Sequence, residues 1–278
     1  MRNSVILPKN RITQGTIFCG VKSSYPTVGH CHGICITARC DTARDFKAPN
    51  LTFLPIIPMR CWLWEEALPK AILDQKKASI GALKKYLMRK YNTTTILESF
   101  GAEKAFDSVD QKDKEIKGHR LLFDEALAAE KAPPNEWKLI SSSIVKKVEA
   151  EGNLLISGKI QDFHFIDSVE ATYGIDEQEK NEGFVVSFRD IRALSRSSAQ
   201  ELKDGIDAEK LKNLIESDPS LNHLYADEEV IIYPTGELSS PYIEQLMQNF
   251  SLVFGRIGTQ NVPPHYADNI QKLIRGVN

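Results

Sequence analysis

The sequence contains no cysteine after Cys61, although the chain is 278 residues long. The five cysteines are odd in number and clustered near the start, so they do not form a disulfide framework. No apolar run approaches the roughly 18–20 residues that cross a bilayer, and none follows a basic start as in a signal peptide. We therefore expect a cytoplasmic protein without a membrane partner, whose cysteines are thiols or metal ligands.

A large net charge is also lacking. The formal net charge is −2, which gives the chain as a whole no nucleic-acid signature, so any such site has to be a local patch. Hydrophobic residues make up 42% of the sequence and charged residues 26%, which is typical of a folded protein with a real core. The length fits one large domain or two ordinary ones.

The hydrophobic periodicity changes along the chain. Residues 11–59 contain three short strand-like runs between loops rich in Gly, Pro, Asn and Asp, and this predicts a small antiparallel barrel. Helical spacing follows from about residue 64 to 151, with a break that begins at Asn92. Strand-like runs return at 154–156, 162–171, 183–188 and 229–233.

The last predicted helix has the clearest pattern. Ser240 is a good N-cap, and Pro241 suits the first helical position. An apolar stripe at helical spacing follows and predicts a buried face, with Phe250 and Phe254 at its centre. The stripe consists of Ile243, Met247, Phe250, Phe254 and Ile257.

The predicted fold is therefore α+β. Residues 1–64 supply the strands of an N-terminal SH3-like β-barrel, and residues 65–151 form a helical insertion. Residues 152–278 supply central strands that rejoin the barrel and then the C-terminal helices, the last of them apolar.

Three N-terminal segments follow a recognisable order, namely Gln14-Gly-Thr-Ile-Phe18, Gly33-Ile-Cys-Ile-Thr37 and Pro55-Ile-Ile57. They resemble the strands of the small SH3-like barrel of the PemK/MazF toxin family. In that family an Arg before the second strand and a Thr after Pro-Ile carry the ribonuclease chemistry. His30-Cys-His32 precedes the second strand here and Ile57 replaces the Thr, so the resemblance implies the fold more than the activity.

Two distant segments carry a second resemblance. Ile36-Thr-Ala-Arg-Cys-Asp41 and the stretch from Ser240-Pro241 to Phe254-Gly-Arg-Ile-Gly258 resemble paired segments of uncharacterised bacterial proteins. Some of those proteins are encoded near mobile-element or phage-defence genes. The resemblance implies a defence context and brings no established reaction.

The segment from His30 to Asp41 concentrates groups that can react. His30 or His32 could act as a general base, while an arginine offsets developing negative charge. A Cys–His pair could instead act as nucleophile and base. The predicted catalytic residues are His30, His32, Arg39, Cys40 and Asp41. The alternative is an ordinary loop with a buried Cys40 and an Asp41 that bonds to its own backbone.

The same segment could hold zinc, the one cofactor that the sequence leaves open. Cys31, His32, Cys35 and Cys40 offer suitable ligands, although the spacing lacks a Cys-x₂-Cys knuckle. A strand over residues 33–37 places Cys31 and Cys35 on the face opposite Ile34 and Ile36. The alternative is that Cys19, Cys35 and Cys61 are small core residues.

Residues 70–90 contain six Lys and one Arg against a single Asp. We predict that these cations contact the phosphates of a nucleic acid and that Tyr86 and Tyr91 stack on its bases. The alternative is that they form a solvated helix face. The predicted phosphate ligands are Arg44, Lys76, Lys77, Lys84, Lys85, Arg89 and Lys90. The remaining histidines, at 119, 164, 223 and 265, have no partner at a telling spacing.

The two resemblances imply a bacterial defence- or toxin-related protein, and together with the residue patterns they predict that it binds or cleaves nucleic acid, with RNA favoured. Residues 30–44 and the basic helix would carry that function. One alternative is a non-catalytic module that binds a protein encoded in the same operon. A second alternative is a zinc-stabilised structural domain.

Overall fold

The structure is a computed structural model that describes residues 4–9, 11–43, 47–110, 113–169 and 183–254. The strands are β1 (Val5–Ile6), β2 (Thr16–Lys22), β3 (His30–Cys35), β4 (Asn50–Pro58), β5 (Phe163–Ile166), β6 (Phe184–Ser187), β7 (Arg192–Ser195) and β8 (Pro234–Leu238). The helices are α1 (Arg39–Thr42), α2 (Met59–Trp62), α3 (Leu68–Tyr91), α4 (Thr95–Asp107), α5 (Lys114–Glu130), α6 (Ser142–Ile156), α7 (Arg196–Glu201), α8 (Ala208–Ser217) and α9 (Tyr242–Phe254). A π-helix (Leu63–Ala67) joins α2 to α3, and 3₁₀ turns lie at Trp137–Leu139 and Pro219–His223.

The strands form one curled antiparallel sheet, so the α+β class is confirmed. Their order is β1-β8-β2-β3-β4-β6-β5, and β7 pairs with the first half of β4. The two edges approach each other, since Thr235 Oγ1 donates to the Val169 carbonyl at 3.2 Å and the Ser4 hydroxyl donates to the Asp167 carboxylate. Strands from both ends of the chain therefore build the same sheet.

Side-chain alternation along β3 and β4 separates two cores. Cys31 and Cys35 point into the large core, which packs the sheet against α2, α3 and α6. Ile34 and Leu54 point to the opposite face and into the small core, which α9 covers with Ile243. The predicted orientation of Cys31 and Cys35 away from Ile34 and Ile36 is confirmed, because successive side chains on a strand face opposite ways.

A third core, the helical core, lies between the second half of α3 and helices α4 and α5. Tyr86, Phe106 and Phe123 are among its buried residues. Helix α3 ends where the sequence predicted a break, because Asn92 adopts a left-handed conformation (φ 52°) that terminates the helix. None of the described helices is both long and apolar enough to cross a membrane.

Two predicted strands were wrong. Residues 154–156 belong to α6, where Leu155 continues the buried helical row that begins with Ile144 and Val148. The last strand is Pro234–Leu238 rather than 229–233, and Pro234 is its first residue, a position where the missing N–H is tolerated.

Candidate functional site

The two predicted catalytic histidines lie on β3 and face different neighbours. His30 is exposed and stacks on Tyr225, with ring centroids 5.3 Å apart and planes inclined by 7°. His32 is half-buried and contacts Phe184 edge-on at 6.4 Å. Both are positioned by the strand rather than by a loop.

The other predicted catalytic residues lie beyond the opposite end of β3. Arg39, Cys40 and Asp41 form the short helix α1, and all three are exposed. From His30 to Cys35 the strand extends roughly 16 Å at about 3.3 Å per residue. The structure therefore does not bring His30 together with Arg39, and Arg44 lies outside the described residues.

Arg39 makes a contact that sequence spacing could not reveal. Its Nη2 lies 3.2 Å from Glu244 Oε1 on α9, at an exposed site. This ion pair joins the two segments that carry the second resemblance. Because both side chains are about half-exposed, the pair contributes little stability.

The candidate zinc ligands point in different directions. Cys31 and Cys35 are buried in the large core, His32 lies on the other face of β3, and Cys40 is exposed. Burial raises the pKa of the Cys31 and Cys35 thiols to about 12, so they are protonated at neutral pH. Within the described part of the chain, no three His, Cys, Asp or Glu side chains are placed to share a metal ion.

All five cysteines lie within the described residues, and none forms a disulfide. Cys35 and Cys61 are buried as the core interpretation predicted, whereas Cys19 is only half-buried. Cys19 Sγ approaches the Ile231 carbonyl at 3.1 Å.

Half of the predicted phosphate ligands on α3 are already paired with acidic residues of α5 and its N-cap. Lys76 Nζ lies 2.6 Å from Glu130, and Lys90 Nζ lies 3.3 Å from Asp113. Arg89 forms an ion pair with Glu115. Because these cations are paired with carboxylates, their charge is largely neutralised locally.

Lys77, Lys84 and Lys85 differ from the paired cations. All three are exposed, and no described residue forms an ion pair with them. Their spacing places them on one side of α3, because residues seven and eight apart share a helix face. They form what we call the lysine face.

A cavity of about 320 Å³ lies between the end of α6, strand β5 and helix α9. Its floor is apolar and buried, and consists of Leu155, Ile166 and Leu238. Ser157 and Asp167 are exposed and border its mouth.

One side of α9 faces the cavity. Tyr242, Gln245 and Asn249 line it, at the spacing of residues that share a helix face. Ile243 and Leu246 lie on another side of the same helix and enter the small core. Glu244 meets Arg39, so the cavity and α1 contact different sides of α9.

His164 is the chemically distinctive residue of the cavity. It is 9% exposed, and its Nδ1 lies 3.0 Å from Asn249 Nδ2. Its ring is stacked on Phe188 at a centroid distance of 6.4 Å. Burial lowers the pKa of the imidazole to about 4, so the ring is neutral at neutral pH. Its Nε2 forms no hydrogen bond to a described residue.

In the sequence, His164 has no partner at a telling spacing. Its partner is Asn249, 85 positions away, and only the packing of α9 on the sheet brings them together. The one local signal is a polar residue inside the apolar strand Phe163–Ile166.

Comparison with known protein families, with curated proteins and with solved structures finds no match to this chain.

Proposed function

We propose that this protein binds a small organic molecule in the cavity beside His164. The observation that carries the proposal is a buried imidazole that lines the cavity, with Nδ1 bonded to Asn249 and Nε2 without a hydrogen-bond partner among the described residues. An imidazole nitrogen can donate or accept a hydrogen bond, so a ligand in the cavity can supply the partner of Nε2. The volume falls within the range of about 300–1,000 Å³ that is usual for ligand pockets.

The chemistry of His164 favours binding over proton transfer. A general base works best when its pKa lies near the working pH, and a pKa of about 4 makes this imidazole a weak base. Packing against Phe188 and bonding to Asn249 fix the ring, which lowers the entropic cost of recognition.

The test is a fragment screen by NMR on the full chain, followed by titration of any hit. His164→Phe keeps a ring against Phe188 but removes Nε2, so we expect ligand affinity to fall about tenfold or more, the equivalent of one lost hydrogen bond. His30→Phe is the control, because His30 lies outside the cavity. A ligand with a hydrogen-bonding group at Nε2 that binds both variants equally, or a library without any hit at the cavity, contradicts the proposal.

A second candidate function is binding of a phosphate-rich polymer, with RNA as the first choice. The lysine face supports it, because its three cations are exposed and form no ion pair with the described residues. The PemK/MazF-type resemblance favours RNA as the polymer. As part of the same proposal, the curled sheet is an SH3-like barrel of the kind found in that family.

Salt dependence tests this candidate. Replacement of Lys77, Lys84 and Lys85 by Gln should weaken RNA binding and reduce the slope of log K against log salt by about 2, near 0.7 for each single-strand phosphate that the protein no longer neutralises. The matched control replaces three other exposed lysines and removes the same charge, namely Lys146, Lys203 and Lys212. Equal slopes for the two triple variants, or no RNA binding at about 50 mM salt, exclude the lysine face.

A further inference from the structure

Among the described residues that line the cavity, the charged side chain is a carboxylate. Asp167 places this carboxylate at the mouth, and one of its oxygens accepts the hydroxyl hydrogen of Ser4. A carboxylate offers about four acceptor sites, so this bond leaves further capacity. Among the described residues, Asp167 has no Lys or Arg partner, and no Lys or Arg lines the cavity.

The end of α6 adds to this negative character. Ser157 and Gly158 border the cavity and directly follow the last helical residue, Ile156. The carbonyls of residues 153–155 accept hydrogen bonds from residues 157–159, whereas the Ile156 carbonyl accepts none from a described residue. An unsatisfied carbonyl at the carboxyl end of a helix carries partial negative charge. Anionic ligands such as phosphates and carboxylates are therefore disfavoured here, and a cation is favoured.

The inner part of the cavity has a different character. Leu155, Ile166 and Leu238 supply apolar surface, and His164 supplies one hydrogen-bonding nitrogen. The Asn249 amide can present either its nitrogen or its oxygen to Nδ1, so Nε2 can serve as donor or acceptor. His164 and Asp167 are three residues apart, roughly 10 Å at about 3.3 Å per residue.

We propose that the ligand is a small cationic amine with an apolar ring and a hydrogen-bonding group at its far end. The ammonium group lies at Asp167 and the end of α6, the ring lies on the leucine and isoleucine floor, and the far group bonds His164 Nε2. This assignment rests on the proposed function of the cavity and adds the charge and shape of its ligand.

Compounds that share one ring and differ in charge test the assignment on the unaltered protein. The probes are tyramine, tyrosol and 4-hydroxyphenylacetate, which carry an ammonium, a hydroxyl and a carboxylate on the same hydroxyphenyl ring. Affinity is measured by NMR titration at neutral pH and moderate salt. We expect tyramine to bind about three- to fivefold more tightly than tyrosol, because an ion pair with an exposed carboxylate adds modest affinity, and 4-hydroxyphenylacetate to bind most weakly.

Two further measurements locate the contacts. Asp167→Asn keeps an acceptor for Ser4 but removes the charge, so the ratio of tyramine to tyrosol affinity should fall to about one. Phenethylamine has the same ring and ammonium group as tyramine but lacks the ring hydroxyl that would bond Nε2. His164→Phe should therefore weaken tyramine binding but leave phenethylamine binding unchanged. If Asp167→Asn does not fold, the comparison of the three probes on the unaltered chain still decides the charge preference.

The outcomes separate this inference from the proposed function. Tyrosol that binds as tightly as tyramine, or 4-hydroxyphenylacetate that binds best, overturns the amine assignment while the cavity remains a binding site. The amine assignment is also overturned when none of the three probes binds. The proposed function fails when the wider fragment library also yields no cavity ligand, or when its hydrogen-bonding hits bind His164→Phe as tightly as His30→Phe.

Discussion

His164 occupies a strand position where the sequence pattern predicts an apolar residue. Its neighbours Phe163 and Ile166 are buried, and the imidazole shares their buried strand. The Asn249 amide satisfies one ring nitrogen, while desolvation disfavours the charged ring. A neutral imidazole is thus the form that this site selects.

This selection makes stability depend on pH. The unfolded imidazole takes up a proton near its ordinary pKa of about 6.5, whereas the folded one stays neutral down to a pKa of about 4. Between these values the unfolded state binds more protons, so the free energy of unfolding falls as the pH falls. The loss from this group reaches roughly 3 kcal/mol near pH 4.

Urea melts of the wild type and of His164→Phe between pH 7 and pH 4 measure this effect. Other groups that titrate in this range affect both proteins, so the difference between the two curves isolates His164. We expect the wild type to lose stability relative to the variant as the pH falls. Parallel curves would show that folding does not lower the pKa of His164.

Helix α9 has three sides, and each side makes a different set of contacts. One side fills the small core, a second lines the cavity, and a third reaches α1 through the Arg39–Glu244 pair. The predicted burial of Phe250 is confirmed in part, since its half-buried ring packs edge-on against Phe188 at 5.6 Å. The burial of Phe254 stays a prediction, because its side chain lies outside the described residues.

Because the sides of α9 differ in burial, substitutions at neighbouring positions of this helix should lower the free energy of unfolding by different amounts. Phe250→Ala should lower the free energy of unfolding by about 2–4 kcal/mol, because it removes a large apolar contact with Phe188. Leu252 is 64% exposed, so Leu252→Ala should change stability by less than about 0.5 kcal/mol. Denaturant melts measure both, and equal costs would show that α9 does not cover the small core.

For the molecule as a whole, the sheet and the helical core differ in how they are built. The sheet gathers strands from both ends of the chain, whereas the helical core uses α3, α4 and α5, which are consecutive. Helix α3 belongs to both, since its first half packs in the large core and its second half in the helical core. Local contacts of this kind allow one part to open while the rest remains folded.

Phe106→Ala tests that separation. Phe106 is fully buried and its ring lies 5.2 Å from that of Phe123, so the substitution should cost about 3–5 kcal/mol. We expect amide hydrogen exchange to accelerate in α4 and α5 while β3 and β4 keep their protection.

The control is Phe53→Ala in the large core, which should accelerate exchange throughout the molecule. If Phe106→Ala accelerates exchange equally in β3 and β4, the chain is a single cooperative unit.

Local pattern was enough for several features of this protein. The change in hydrophobic periodicity along the chain predicted the α+β class. The interruption of helical spacing predicted the break at Asn92, and the spacing of apolar residues predicted the buried stripe of α9. Alternation along β3 predicted that Cys31 and Cys35 face away from Ile34. These succeed because backbone geometry ties side-chain direction to nearby residues only. Residues 154–156 were misread because a short apolar run fits either a strand or a helix end.

The candidate site was decided by tertiary structure. The sequence contains every cation of α3, but only the packing of α5 shows that Lys76, Arg89 and Lys90 are paired while the lysine face is not. His164 and Asn249 likewise become partners only when α9 docks on the sheet. Charge and hydrogen bonding act through distance in space, and the chain path that sets this distance depends on all the packed elements at once.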